Sequence, residues 1–196
     1  MIARGFVAID LPSAGRDLLV RARRELSRAA AAWEGERWVD PANLHVTLRF
    51  LGPLDDTAQA AVIEALASLC PRTNAFDARV SGIVPRPSAR SATMLWATFR
   101  EEDLPRFSAL ASALEDELLR RGIPAEGRPY VPHVTLVRAR RRRSLSRGAL
   151  DAANESIERA DAAARTVSVR TVTLYSSTLT PRGPVYEAIA SGTLGG

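Results

Sequence analysis

The chain has 196 residues, of which 46% are hydrophobic and 25% are charged. This composition is ordinary for a globular protein and supplies enough apolar residues for one domain with a real core. No apolar run approaches the roughly 20 residues of a membrane-spanning helix, and the single cysteine excludes a disulfide framework. We therefore expect a cytoplasmic monomer that has no membrane partner.

The charge balance is basic. The formal net charge is +5, and all 27 basic residues are arginine. A basic surface favours polyanions such as nucleic acid, but arginine in place of lysine is also typical of a GC-rich genome. The densest run, Arg140–Arg143 beside Arg138, is either a solvated surface or a patch that steers RNA phosphates. Composition alone leaves RNA binding open.

The first half of the chain predicts five elements in order. Residues 6–9 indicate a short buried strand, and an apolar stripe over residues 19–33 predicts a helix. Residues 44–50 alternate in the manner of a strand and contain the tetrapeptide His-Val-Thr-Leu. A weaker helix over residues 58–69 and a strand over 76–84 complete a strand–helix–strand–helix–strand unit.

The second half repeats this order. The tetrapeptide at His45 recurs at His133, 88 residues later (133 − 45 = 88), and these are the only two histidines. The matching elements are a strand at 94–97, a helix at 107–118 ending at Gly122, the second motif strand, a helix at 145–157, and strands at 167–175 and 185–190.

Such a duplication predicts an α+β fold. We expect a single bilobal domain over residues 1–196, with repeats at about 1–88 and 89–176 and closing strands at 177–196. Two antiparallel sheets should face a central cleft, with the helices outside. Trp33, Trp38 and Trp96 fall where core packing is expected.

Strand alternation assigns faces to the first motif. It directs His45, Thr47 and Arg49 to one side, and Leu44, Val46, Leu48 and Phe50 to a core. The second motif repeats the pattern, so two related lobes would bring two imidazoles and two hydroxyls to one cleft. Histidine titrates near neutrality and can act as acid or base, while hydroxyls and an arginine can bind a phosphate.

Metal catalysis is disfavoured by the same residues. Two histidines need at least one further ligand, and no carboxylate recurs at matching positions near both motifs. A Ser-His-Asp arrangement also lacks a nucleophile beside either histidine. We expect no cofactor and no metal.

Five fragments resemble the two-histidine (2H) phosphoesterases, in particular the RNA 2′,3′-cyclic phosphodiesterases also called 2′-5′ RNA ligases. The fragments are Phe6–Pro12, Asn43–Gly52, Pro132–Arg138, Leu174–Ser177 and Gly183–Tyr186. The resemblance implies that His45 protonates the departing O3′ and that His133 activates water. It further implies that Thr47, Thr135 and Arg138 bind the phosphate, with Phe6 and Phe50 near the nucleoside or in the core. The product would be a 2′-phosphate.

Arg138 conflicts with simple alternation. It follows His133 by five residues, an odd step, so a regular strand would direct it away from the cleft unless a bulge intervenes.

Three alternatives use the same features differently. A non-catalytic module for single-stranded RNA needs the basic run but not two His-x-Thr pairs. A ligase that joins tRNA halves through a 2′-5′ bond would run the reaction in reverse, without ATP, since no nucleotide-binding glycine loop is present. The third alternative keeps the hydrolysis and takes small cyclic nucleotides as substrates.

Overall fold

Strands and helices alternate along the chain in the computed structural model, which describes residues 1–181 and 183–196. The strands are β1 (Ile2–Asp10), β2 (Arg37–Trp38), β3 (His45–Leu54), β4 (Phe76–Arg86), β5 (Ala92–Phe99), β6 (Val134–Arg143), β7 (Thr166–Val169), β8 (Thr171–Thr180) and β9 (Gly183–Thr193). The helices are α1 (Ser13–Ala29), α2 (Asp56–Leu69), α3 (Leu104–Arg120), α4 (Arg147–Glu158) and α5 (Ala162–Arg165). The predicted order is confirmed, except that the strand expected at 167–175 is divided at Arg170 into β7 and β8.

The strands form two four-stranded halves that meet at one point. Their order is β7-β4-β5-β6-β3-β1-β8-β9, with β2 paired to β6, and every pairing between strands is antiparallel. Between β3 and β6 the register consists of the pair Val46–Val134. The two predicted sheets are therefore continuous at this junction and curl apart on either side of it. This confirms the α+β class and the two-lobed arrangement.

The strand pairing keeps the 88-residue offset. The matching pairs are Phe6–Phe50 with Met94–Arg138, Val7–Arg49 with Leu95–Val137, and Ala8–Thr47 with Trp96–Thr135. Both β3 and β6 carry an irregularity at the same place, where Leu48 and Leu136 are the extra residues. Such a bulge shifts the alternation by one residue, so side chains beyond it change face.

Each lobe contains strands from both halves of the chain. β4, from the first half, pairs with β5, whereas β8, from the second half, pairs with β1. The helices are exchanged in the same way, because α1 packs against α4 and α2 packs against α3. Neither half can therefore form a complete lobe alone.

The helices bury apolar faces against the sheet. Phe107 of α3 is among the largest fully buried side chains. Trp33 is also fully buried, as the sequence predicts, but it follows α1, which ends at Ala29 rather than at residue 33. Within the described ranges, no helix combines the length and hydropathy that crossing a membrane requires.

The C-terminus of α3 directs the chain toward His133. Gly122 has a φ of +79°, a left-handed conformation that glycine adopts without strain. The N–H groups of Gly122 and Ile123 donate to the carbonyls of Leu119 and Leu118, both at 3.0 Å. These two bonds end the helix as predicted and turn the chain into the loop before the second motif.

The contact between β9 and the end of α2 gives a test of packing. A Cβ at Gly192 would lie 2.5 Å from Sγ of Cys70, so Gly192→Ala should lower the free energy of unfolding by about 1–3 kcal/mol. Adding Cys70→Ala should offset part of this loss, which urea denaturation can measure. Gly148→Ala, with no neighbouring atom within 4 Å, is the control. If the changes in the free energy of unfolding caused by the two substitutions simply add, the proposed contact is contradicted.

Candidate active site

A cleft of about 600 Å³ opens where the two lobes meet. Both histidines and both motif threonines line it, together with Arg138 from β6. Its opposite side is formed by α3 and the loop that follows, with Glu115, Asp116 and Glu126 in the lining. Two of these carboxylates, Glu115 and Glu126, form ion pairs with Arg49, which also lines the cleft.

The junction between β3 and β6 explains how the two motifs come together. Val46 and Val134 are paired and fully buried, and each is flanked by a His and a Thr that face the cleft. In an antiparallel register, one step from this pair sets His45 against Thr135 and Thr47 against His133. The four polar side chains thus surround the junction with approximate twofold symmetry.

His45 is held by hydrogen bonds at both ring nitrogens. Nδ1 lies 2.7 Å from the carbonyl oxygen of Asn43, and Nε2 lies 3.0 Å from Oγ1 of Thr47. Because a carbonyl can only accept, Nδ1 carries a proton and Nε2 is the nitrogen that titrates. Phe6 and Tyr186 pack against the ring, with centroid distances of 5.0 and 5.4 Å.

His133 uses the same tautomer in different surroundings. Its Nδ1 donates to the carbonyl of Val131 at 2.8 Å, which leaves Nε2 as the titrating nitrogen. The imidazole stacks on the indole of Trp96, with centroids 3.7 Å apart and planes inclined by 18°. Backbone and indole together determine both the tautomer and the plane of the ring.

Burial lowers the pKa of both histidines below the ordinary value of 6.5, because the imidazolium loses hydration. The charged neighbours differ. Asp10, paired with His45 across β1 and β3, raises the pKa of His45, and Arg138 lowers it. Arg138, Arg86 and His45 all lower the pKa of His133. The two identical motifs therefore place their histidines in electrostatically different sites.

Arg138 faces the cleft. The bulge in β6 places Leu136 and Val137 both in the core, so Arg138 emerges on the side of His133 and Thr135. Its Nη1 lies 3.1 Å from Sδ of Met94, the residue opposite on β5. This irregularity resolves the conflict that simple alternation raises.

The same bulge in β3 corrects two expectations from alternation. Phe50, expected in the core, is 50% exposed and lines the cleft at the position equivalent to Arg138. Arg49, expected beside His45, is buried and bonds Glu115 at 2.6 Å and Glu126 at 3.2 Å. Phe6 is only 5% exposed and contacts the His45 ring, so it forms a wall behind that histidine.

Two aromatic residues of the site escaped the sequence analysis. Trp96 was expected in the core, but it lines the cleft and stacks on His133. Tyr186, from β9, packs beside His45, a contact that its place in the closing strands does not reveal in the sequence. In the sequence, Trp96 can be placed on the strand that repeats β1 after 88 residues. That placement does not show which side chain the indole contacts.

The arginine run has mixed surroundings. Arg143 forms an ion pair of 2.7 Å with the buried carboxylate of Glu36, and Arg142 donates to Oγ of Ser91 at 3.0 Å. Arg140 and Arg141 are exposed. Within the run, Arg142 and Arg143 thus have side-chain partners, and Arg140 and Arg141 extend into solvent.

Metal ligands do not cluster in the part of the chain that the structure describes. No three His, Cys, Asp or Glu side chains there lie close enough together to hold an ion.

Comparison with known proteins agrees with this geometry. A family model described as "LigT like Phosphoesterase" matches residues 9–96 and 100–186. An RNA 2′,3′-cyclic phosphodiesterase of Aquifex aeolicus is 28% identical over 201 residues, which cover 100% of this chain and 99% of the relative. One from Methanothermobacter thermautotrophicus is 30% identical and covers 95% and 96% of the two chains.

Solved structures share the fold. A crystal structure from Thermus thermophilus has a TM-score of 0.74 and 25% identity, covering 98% of both chains. The LigT protein of E. coli, crystallised with 3′-AMP, also has a TM-score of 0.74, at 22% identity and 99% coverage of both. With a family model matched over most of its length, the chain belongs to the LigT-like phosphoesterase family.

Proposed function

We propose that the protein hydrolyses the 2′,3′-cyclic phosphate at an RNA end to a 2′-phosphate and a free 3′-hydroxyl, without a metal. The observation that carries this proposal is the meeting of two His-x-Thr pairs and one arginine around the Val46–Val134 junction. The two relatives named above are RNA 2′,3′-cyclic phosphodiesterases, and each matches this chain over almost its whole length. This similarity supports the same substrate. We further propose that the enzyme acts as a cytoplasmic monomer.

In the proposed reaction, Nε2 of His133 removes a proton from water as the water oxygen attacks phosphorus. The bond from phosphorus to O3′ breaks, and the proton on Nε2 of His45 passes to O3′. Oγ1 of Thr47 lies 3.0 Å from that nitrogen, so O3′ must take over this hydrogen bond. Thr135 and the released Thr47 hydroxyl donate to the non-bridging oxygens, and Arg138 offsets their growing charge.

The charges around the two rings support this division of roles. An acid must hold a proton before the reaction. Burial and Arg138 lower the pKa of His45, and Asp10 acts against them by favouring its protonated form. A base must be unprotonated, and Arg86 and Arg138 favour the neutral form of His133. Asp10 is itself bound by the hydroxyl of Tyr175 at 2.7 Å, which fixes the carboxylate beside β3.

Replacing either histidine tests the proposal directly. His45→Ala and His133→Ala should each lower kcat by about 10²–10⁴-fold on a 2′,3′-cyclic nucleotide, because each removes one proton transfer. The rates are measured after exhaustive EDTA treatment, which should leave the wild-type rate unchanged. Thermal melts verify that both variants fold.

A substrate with an aryl leaving group separates the two roles, since that group departs with little protonation. On this substrate His45→Ala should recover more activity than His133→Ala. The reverse order would exchange acid and base, and wild-type turnover by either variant would remove the two-histidine mechanism. Activity restored to an EDTA-treated enzyme by zinc or manganese would indicate a metal site instead.

The pH dependence follows from the lowered pKa values. kcat/KM should follow a bell, because the base must be neutral and the acid protonated, and its apparent pKa values belong to the pair. Burial lowers the pKa of both imidazoles, so the centre of the bell should lie on the acid side of pH 6.5. Steady-state rates between about pH 4 and 9 measure it, and a centre above about pH 7 would contradict the burial argument.

The exposed part of the arginine run tests the steering of RNA. Arg140→Ser/Arg141→Ser spares the Arg143–Glu36 ion pair and should raise KM for an oligonucleotide while weakening its salt dependence. A small cyclic nucleotide should be unaffected. The control is Arg21→Ser/Arg24→Ser, which removes two charges from α1. Equal effects on both substrates, or equal effects of both variants, would assign the run to a solvated surface.

A further inference from the structure

Three side chains from adjacent strands form a stack that ends at His133. The indole of Trp96 contacts the imidazole at a centroid distance of 3.7 Å, and Cζ of Arg86 lies 4.8 Å from an indole centroid. Trp96 pairs with Val84 of β4 on one side and with Thr135 of β6 on the other. Arg86 therefore approaches the indole from the β4 side, and His133 from the β6 side.

The indole of Trp96 is positioned by stacking and packing rather than by a hydrogen bond. Within the described chain its Nε1 is buried and has no hydrogen-bond partner, so stacking and packing alone hold the ring. The indole contacts both His133 and Arg86, and it lines the cleft. Its stacking on His133 restricts the rotation of the imidazole.

Two restraints act on His133 in different directions. The carbonyl of Val131 holds Nδ1 at 2.8 Å, and the indole lies nearly parallel to the ring. One restraint selects the tautomer and the other selects the plane, so together they direct Nε2 into the cleft. A base that is misplaced by about 1 Å loses on the order of 10²-fold in rate.

We propose that Trp96 and Arg86 are positioning residues for His133, the indole holding the imidazole plane and the guanidinium covering the indole. This inference rests on the proposed function of His133 as the base. It adds two residues that act through the histidine.

The charge of Arg86 has a consequence for protonation. The pKa of His133 is affected by Arg138 from β6, Arg86 from β4 and His45 from β3. The other basic or phenolic groups that line the cleft are Arg49 from β3, Arg128 and Tyr130 from the loop before His133, and Tyr186 from β9. The acidic side chains of the cleft, Glu115, Asp116 and Glu126, lie on the α3 side. Arg86 lowers the pKa of His133. Its removal should therefore raise that pKa and move the acid limb of kcat/KM to higher pH.

The kinetic test uses a small 2′,3′-cyclic nucleotide, so that RNA steering does not contribute. Trp96→Leu should lower kcat by about 10–100-fold with little change in KM, and Trp96→Phe, which keeps an aromatic face, should restore most of it. Arg86→Gln should shift the acid limb to higher pH, and Arg86→Lys should return it. Arg90→Gln removes the same charge from the loop that follows β4 and is the matched control.

NMR gives a readout that does not depend on activity. The chain has only two histidines, so two imidazole Cε1–H signals are expected, and His45→Ala identifies the one from His133. The ring current of the stacked indole should displace the His133 signal upfield in the wild type. The smaller phenyl ring of Trp96→Phe should displace it less, and Trp96→Leu should not displace it. Arg86→Gln should raise its titration midpoint.

The outcomes separate this inference from the proposed function. If His133→Ala keeps wild-type activity, the proposed base is wrong whatever the NMR spectra show. If His133 is essential but Trp96→Leu keeps the wild-type kcat and signal position, the positioning role is overturned. An unchanged titration in Arg86→Gln, or an equal shift in Arg90→Gln, would overturn the part assigned to Arg86.

Discussion

The candidate active site depends on the pairing of two buried valines. Val46 and Val134 connect β3 to β6, and this junction is where the two four-stranded halves become one sheet. Because side chains alternate along a strand, burying each valine in the core directs the flanking His and Thr into the cleft. The packing that stabilises the fold and the geometry that assembles the site are therefore the same contact. A shift of the register by one residue would turn both motifs inward.

The two motifs have the same sequence because of the duplication, but the residues that surround them differ. Position 50 in β3 and position 138 in β6 are equivalent beyond matching bulges, yet one is an exposed phenylalanine and the other an arginine. Asp10 acts on His45 and Arg86 acts on His133, while Arg138 acts on both. The inequality favours one of the two ways in which a single proton can be placed on the pair of imidazoles. The proposed acid and base thus follow from a few substitutions on a symmetric frame.

The loop before His133 is held by a buried charge network rather than by a regular element. Arg49 bonds Glu115 of α3 and Glu126 of the loop, and the backbone N–H of Glu126 donates to Glu115 at 3.0 Å. A buried guanidinium is stable only when its donors are satisfied, and this one also donates to the carbonyls of Phe50 and Pro124. The network therefore connects the first motif strand to the loop that presents the second histidine, which couples the two halves of the site.

The hydrophobic periodicity of each segment and the internal sequence repeat were enough to predict the element order, the α+β class and the two His-x-Thr pairs facing one cleft. These features follow from side-chain periodicity and from the 88-residue offset, both of which are written along the chain. The face of Arg138, the exposure of Phe50 and the burial of Arg49 were decided only by tertiary structure, since bulges arise from how neighbouring strands pair. The stack of Trp96 on His133 is equally non-local: the two residues are far apart in sequence and meet only because β5 pairs with β6.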